Sequence, residues 1–383
     1  MKEKIMKRIL ITGGAGFIGS RLASVLNAEG HAVTIFDNLN PQVHGPDVER
    51  SGLLAAVRAA AEVVIGDVTD REALESALAG QDVVVHLAAE TGTGQSMYEI
   101  EKYSRVNIGG TSVLLDILAN DANRTVKKIV VASSRAIYGE GRYFSEELGY
   151  VYPKLRLETD LLAGRFEPVY PGAVSGLRLV PTDEESKIHP TSVYGITKHT
   201  QESLVMTVGR SLGIAAVSLR YQNVFGPGQS LTNPYTGILS IFSSLIRQGK
   251  SINIFEDGLE SRDFVSIEDV TRVTAQAVLH EQADGKVLNV GSGVATTVKE
   301  VVDELMRAYG RTVPVEITGD FRIGDIRHNV ADLTLARETL GFEPQVTFRQ
   351  GVQNFARWVE DQEVSDSGYE TSLEEMRRRS LLK

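Results

Sequence analysis

Residues Thr12 to Ser20 read TGGAGFIGS, a G-x-x-G-x-x-G pattern at Gly13, Gly16 and Gly19. A short apolar run, ILIT (Ile9 to Thr12), precedes it, and a helical pattern, RLASVLNAEG, follows. Glycines between a buried strand and a helix permit a tight turn. They also let the backbone approach a pyrophosphate at the helix N-terminus. A glycine triplet alone is weak evidence; here the strand before it and the helix after it supply the context the motif requires.

Val- and Ile-rich runs then recur between longer helical patterns. They are AVTIFD (Ala32 to Asp37), VVIGD (Val63 to Asp67), VVVHLAA (Val83 to Ala89), IVVASS (Ile129 to Ser134), AAVSLRY (Ala215 to Tyr221) and VLNVGSG (Val287 to Gly293). Uninterrupted apolar runs fit strands buried on both faces of a parallel sheet. Their alternation with helices predicts an α/β fold, a doubly wound parallel (Rossmann) sheet with a smaller α/β substrate-binding lobe. The expected nucleotide-binding domain is 1–220 plus 263–291, with a loop insertion at 141–190 rich in Pro, Gly and charge. The substrate lobe is expected at 221–262 plus 292–361. A charged helical tail, 362–383, reads as a solvated surface helix.

Composition narrows the function. Forty Lys and Arg against fifty Asp and Glu give a net charge of −10, without the clustered positive charge nucleic acid demands. The chain has no cysteine, which excludes disulfides, thiolate metal sites and a cysteine nucleophile. None of the seven histidines has a convincing metal-ligand partner at helical spacing, so no metal is expected. No apolar stretch approaches the ~20 residues of a membrane helix. A cytoplasmic enzyme without membrane or nucleic-acid partners is the expectation.

Ligands in doubly wound sheets bind beyond the carboxyl ends of the strands, so the residues ending each run matter most. Asp37 ends the second strand, where a carboxylate can accept hydrogen bonds from an adenosine ribose and repels a 2′-phosphate. Asn38 and Leu39 follow, with no arginine at once, so NAD is favoured over NADP. Asp67 and Val68 are placed to edge the adenine. Leu87, Ala88 and Ala89 end the fourth strand with small residues where a cofactor passes closely. His86 reads as a packed core histidine.

Tyr-x-x-x-Lys sets both side chains on one helix face. It occurs at Tyr98/Lys102, Tyr150/Lys154 and Tyr194/Lys198. Pro153 disfavours a helix for the second pair. Only Tyr194 and Lys198, in TSVYGITKHTQESLVMTVGR, have a serine-ended strand upstream, VVASS, to complete a site. A free tyrosine, with a pKa of ~10, is a poor base at neutral pH. A nearby ammonium and a positive nicotinamide ring stabilise phenolate. Tyr194 is then expected to exchange a hydroxyl proton, Lys198 to hold the nicotinamide ribose, and Ser134 to hydrogen-bond the reacting oxygen.

At these residues the chain resembles the extended short-chain dehydrogenases/reductases, the NAD-dependent sugar epimerase/dehydratase family, from about Lys7 to about Glu360. The resemblance implies Ser134, Tyr194 and Lys198 as a catalytic triad and Asn107, in VNIGGT, as a residue bracing the site. Phe17, Ile18 and Tyr221 join the cofactor site on the same ground. Asn223, in LRYQNVFGPGQ, is expected to meet a sugar nucleotide. Arg262, in SRDFVSIEDV, and Arg322, in FRIGDIRH, suit a diphosphate, and Asp325 a ribose hydroxyl. Further segments are most similar to those of dTDP-L-rhamnose 4-epimerases: PQVHG (Pro41 to Gly45), GQSMYEI (Gly94 to Ile100), TNPYTGIL (Thr232 to Leu239), FEDG (Phe255 to Gly258) and GDIRH (Gly324 to His328). That similarity implies hydride removal at C4 of the sugar and its return to the opposite face. UDP-hexose or UDP-glucuronate 4-epimerases and nucleotide 4-ketosugar reductases are the alternatives.

Two features depart from the family pattern. Dehydratases carry an Asp-Glu pair straight after the catalytic Ser/Thr, and decarboxylases a Glu; here those positions are Arg135 and Ala136. Arg135 either points to solvent, the preferred reading, or meets the substrate, where a C6 carboxylate would be its natural partner. The insertion is the other departure, expected as a lid or rim with apolar anchors in its LRLV and VYP segments. Apolar residues on more than one face of TSVLLDILAN (Leu114, Leu115, Leu118) and of the Tyr194 helix (Leu204, Val205, Val208) predict a homodimer paired through these helices.

Overall fold

The computed structural model describes residues 5–233, 235, 237–363 and 368–383. Pro234 and Thr236 of TNPYTGIL, part of the tail (364–367) and the first four residues of the expected first domain lie outside the described residues.

Seven strands form one parallel sheet: β1 (Arg8–Thr12), β2 (Ala32–Asp37), β3 (Glu62–Ile65), β4 (Val83–His86), β5 (Lys128–Ser134), β6 (Ala215–Tyr221) and β7 (Val287–Val290). Their spatial order is β7-β6-β5-β4-β1-β2-β3, the doubly wound arrangement that the strand–helix alternation predicts. β1 pairs with β2 from Arg8↔Ala32 to Thr12↔Phe36, and with β4 from Ile9↔Val83 to Thr12↔His86. The chain therefore leaves β1 to one side and β4 to the other, opening a crevice above Thr12 and His86.

Both sheet faces are covered. α1 (Phe17–Ala28) and a later helix, Ile267–Leu279, pack on one face around Leu22, Val270 and Val273. α2 (Gly110–Asn120) and α3 (Val193–Leu212) pack on the other, with Leu74, Leu78 and Ile129. Leu114, Leu115, Leu118 and Val205 are buried in this second cluster. These four side chains are therefore covered within one chain and are not themselves available to a partner helix. The sheet and the neighbouring helices cover both faces from within one chain, leaving Leu204 and Val208 half-buried and Ile196 exposed.

A third core belongs to the smaller lobe. It unites α4 (Ile238–Gln248), the strand Ser261–Ser266 that leads into α5 (Ile267–Leu279), α6 (Val298–Tyr309), α7 (Phe348–Glu360) and α8 (Tyr369–Arg378) through Phe225, Phe242, Phe264, Leu305, Phe355 and Leu373. Thr297 with Glu300 and Thr347 with Gln350 form capping boxes that start α6 and α7. The insertion folds into short antiparallel strands, Tyr143–Ser145, Gly149–Val151 and Arg178–Leu179, and a helix turn, Glu158–Leu162. Val151, Leu161 and Val180 anchor it, whereas Val169 of the second VYP is exposed.

The tail differs from the expected solvated helix. Tyr369, Leu373 and Met376, spaced i, i+4, i+7, are buried in the small-lobe core. Leu381 and Lys383 then pair their backbone with Ile323 and Phe321. No helix among the described residues is long and apolar enough to cross a membrane.

Candidate active site

A cleft of about 580 Å³ runs from the glycine loop, over the ends of β1 and β4, to Arg322 in the smaller lobe. Gly13, Gly16, Phe17, Ile18 and Gly19 line its first end. Gly13 has φ +66°, and a Cβ there would stand 2.6 Å from Ala88 N and 2.7 Å from Ala88 Cα. The bare loop is the cradle a pyrophosphate needs. Asp37 closes β2; its carboxylate accepts from Ala15 N and from Leu39 N, both at 2.9 Å. Each oxygen keeps lone-pair capacity for a ribose hydroxyl. Asn38, Val68, Leu87, Ala88, Ala89 and Tyr221 also face the cleft. Tyr221 presents its ring, because its hydroxyl bonds Thr274 Oγ1 at 2.8 Å. These residues fit NAD.

Gly13→Ala is accordingly expected to lose NAD during purification and to cost ~1–3 kcal/mol of stability, the range for strained backbone positions. Cofactor absorbance and the thermal midpoint measure this; wild-type values for both would refute the cradle.

Two expected cofactor residues stand behind the wall. Asp67 accepts from Thr69 N (2.9 Å), Thr69 Oγ1 (2.6 Å) and Asn38 Nδ2 (2.9 Å). This local turn occupies the carboxylate, and Gly66 and Val68 face the cleft in its place. Asn107 is buried in a π-helical turn, Ser104–Gly109, a distortion frequent at functional sites. It donates to Thr197 Oγ1 (2.9 Å) and Glu90 O (3.1 Å) and accepts from Glu90 N (2.7 Å). It thereby ties the cleft wall to α3. His86 bonds Thr12 Oγ1 and Thr111 Oγ1 in the core, and burial pulls its pKa down to about 3.

Ser134, at the end of β5, meets Tyr194 and Lys198, on the first turns of α3. Ser192 caps the helix by accepting from Gly195 N at 3.1 Å, and Ser96 Oγ accepts from Tyr194 N at 3.0 Å. A Cβ at Gly195 would lie 2.6 Å from Ala136 O. Glycine there lets α3 press onto the turn after β5, which sets Tyr194 beside Ser134. Lys198 is buried and donates to Gln201 Oε1 at 2.7 Å. Burial pulls its pKa down to about 7 against the upward pull of Glu202. The Tyr194 phenol corrects the expectation of a lowered pKa. Burial outweighs the opposing Ser134 hydroxyl and Arg135 guanidinium, so in the chain alone the net shift is upward.

The competing pairs lie elsewhere. Tyr98 donates to Glu375, while Lys102 pairs with Glu90 and Glu99. Tyr150 is exposed on the insertion and packs against Phe144 and Arg142.

Arg135 does not point to solvent. Its Nε donates to Asn223 Oδ1 at 2.6 Å, and it stands between the main cleft and a side cavity of about 40 Å³. Burial, then the charge of Arg262, pull its pKa down to about 10. Arg262 lines the cleft, but its two terminal nitrogens donate inward, to the carbonyls of Ser261, Ile326 and Arg327 and to Asp325 Oδ1, at 2.7–2.9 Å. The fork expected for a diphosphate is thus engaged within the lobe, leaving Nε as its remaining donor. Arg322, 5.1 Å above the Phe255 ring, lines the same end. Burial raises the Asp325 pKa, but Arg262, Arg322 and Arg135 outweigh it and hold the carboxyl below its usual range.

The sequence reading missed Glu90, Tyr235 and Tyr369, which also line the cleft. Glu375 of α8 accepts from Tyr98 (3.3 Å) and Tyr235 (3.0 Å), linking the GQSMYEI and TNPYTGIL loops. The Tyr369/Leu373/Met376 spacing was the available signal for that wall.

Known proteins are similar to this chain in sequence and fold. The model of the NAD dependent epimerase/dehydratase family matches residues 9–155 and 168–291. The dTDP-L-rhamnose 4-epimerase of Burkholderia thailandensis is 38% identical over 356 residues, 92% of this chain and 95% of that one. The Thermotoga maritima UDP-glucose 4-epimerase, solved with UDP-glucose, superposes with a TM-score of 0.73 at 30% identity, covering 92% of this chain and 98% of that one. The Thermus thermophilus UDP-glucose 4-epimerase, solved with NAD, gives 0.72 at 27% identity, covering 93% and 100%. The chain belongs to the NAD dependent epimerase/dehydratase family.

Proposed function

We propose that the chain is a nucleotide-sugar C4 epimerase acting on a dTDP-linked 6-deoxyhexose, with dTDP-L-rhamnose the leading substrate. The observation that carries the chemistry is the convergence of Ser134, Tyr194 and Lys198 on a cleft shaped for NAD. Arg135 and Ala136 stand where dehydration needs an acid and a base, so epimerisation without water loss is favoured. The 38% identical rhamnose epimerase, spanning nearly both chains, supports the sugar.

NAD, when bound, supplies the hydride acceptor and donor and a positive ring that favours phenolate. Tyr194 takes the C4 hydroxyl proton and returns it. Ser134 hydrogen-bonds the C4 oxygen, and Lys198 holds the nicotinamide ribose. Gly13 to Gly19 and Asp37 hold the adenosine diphosphate half. Arg322, Asp325 and the Nε of Arg262 face the sugar nucleotide's diphosphate and ribose. Lys198 is buried and Tyr194 half-buried, which limits competing water on this proton path.

The uronate alternative gains one observation, the Arg135 guanidinium in the cleft wall. Asp37 counts against a reductase that consumes NADPH. Purified protein incubated with dTDP-L-rhamnose and no reductant is expected to form the C4 epimer, dTDP-6-deoxy-L-talose. Failure with this sugar but turnover of UDP-glucose, UDP-galactose or UDP-glucuronate would move the substrate and keep the chemistry. A requirement for stoichiometric reductant would overturn both.

We also place the enzyme in the cytoplasm, which its lack of cysteine suits, and divide it at the boundaries given above, with the tail built into the substrate lobe. We propose a homodimer through α2 and α3, supported by the exposed Ile196 and the half-covered Leu204 and Val208. Light scattering at micromolar concentration is expected to give twice the chain mass; a monomer would refute it.

A further inference from the structure

The insertion is fastened to the smaller lobe by buried charge. Arg156 grips Glu256 with two hydrogen bonds of 2.8 Å and donates to the Asp325 carbonyl at 3.1 Å; its Nε lies 3.5 Å from Glu140. Both Arg156 and Glu256 are buried. Glu167, also from the insertion, accepts from Arg327 Nε at 2.8 Å. Arg327 in turn grips Asp257 at 2.8 and 2.9 Å and reaches Glu256 at 2.9 Å. The FEDG and GDIRH segments are therefore the socket into which the insertion plugs. Glu256 has φ +50°, a strained conformation that persists only where surroundings over-determine it.

This socket lies directly behind the substrate end of the cleft. The carbonyls of Ile326 and Arg327, in the loop clamped by Arg156, Glu140 and Glu167, hold the Arg262 fork. Asp325, whose carbonyl Arg156 holds, gives its carboxylate to Arg262. Arg156 and Glu167 fall between the two stretches matched by the family model, whereas their partners Glu140 and Glu256 lie within them.

We propose that Arg156 is a positioning residue for the sugar-nucleotide site, acting through Glu256 and the 325–327 loop. The insertion is then a brace that fixes Asp325, Arg262 and Arg322 in register with the triad. This inference rests on the proposed assignment of that cleft end to the sugar nucleotide.

The test compares wild type with Arg156→Lys, which keeps the charge but cannot span Glu256 and the Asp325 carbonyl together, and with Arg156→Met. Mutations along such networks shift coupling by 0.5–2 kcal/mol, and KM for the sugar nucleotide is expected to rise roughly 3–30-fold. The kcat and the bound-NAD absorbance are expected to stay within about twofold. Where Arg156→Met fails to fold because Glu256 is left buried and unpaired, Arg156→Lys and Glu256→Gln carry the measurement. A purely structural role would lower the thermal midpoint and leave KM unchanged in the folded protein, and that result overturns the inference. A wild type that neither binds nor turns over dTDP-L-rhamnose, UDP-glucose or UDP-glucuronate overturns the functional reading, and this inference with it.

Discussion

Tyr194→Phe is expected to abolish turnover while leaving the fold and the bound NAD intact. The substitution removes one oxygen from a helix whose start is fixed by backbone contacts, Ser192 Oγ to Gly195 N and Ser96 Oγ to Tyr194 N. Neither depends on the phenol. A general acid–base group contributes roughly 10²–10⁴-fold. The larger figure is expected here, because Tyr194 must act in both directions of the proton exchange. Ser134 cannot replace it: its Oγ accepts from Ala136 N at 3.1 Å and is no stronger a base. Lys198, with its pKa pulled down to about 7 by burial, is the nearest candidate for rescue. Residual turnover would therefore fall as Lys198 is replaced by Met in the double variant. Tyr98→Phe and Tyr150→Phe are the controls, since the first bonds Glu375 and the second lies exposed on the insertion. Wild-type turnover by Tyr194→Phe would move the chemistry to another base.

The parts of this site that could be read from sequence share a physical property: local geometry dictates them. The glycine loop is defined by strand, turn and helix within a dozen residues, and Tyr194 and Lys198 share a face because the helix repeat puts them there. The parts that could not be read depend on partners far along the chain. Arg135 faces the cleft because Asn223, 88 positions away, accepts from its Nε. Arg262 turns inward because the 325–327 loop offers it three acceptors. Asp67 was open to a better local reading, since Asp-Val-Thr is a side-chain-capped turn that consumes the carboxylate. The second apolar face of α2 could not be apportioned from sequence, because α3 and the helix Arg71–Leu78 that cover Leu114, Leu115 and Leu118 lie far along the chain.

Arg135→Ala is expected to lower kcat/KM for UDP-glucuronate far more steeply than for a dTDP-linked 6-deoxyhexose. The side cavity beside Arg135 is lined by Met97, Ala136, Ile323 and Ile326 on one hand and by Thr93, Thr191, Ser192, Asp325, Arg135 and Arg322 on the other. The four apolar side chains suit a C6 methyl, whereas a carboxylate there needs the guanidinium. A hydrogen bond to a charged group is worth ~1.5–3 kcal/mol, so losing it costs a uronate roughly 10–150-fold. The variant also frees Asn223 and removes the positive charge that Tyr194 and Asp325 feel. Those effects act on the proton exchange and the nucleotide contacts of every substrate, so they cancel in the ratio of kcat/KM between the two sugars. The ratio is therefore the quantity to measure, in wild type and in Arg135→Ala. A wild-type preference for UDP-glucuronate that collapses in the variant would replace the 6-deoxyhexose by a uronate. The C4 chemistry of Ser134, Tyr194 and Lys198 would stand unchanged, because none of the three takes its position from Arg135.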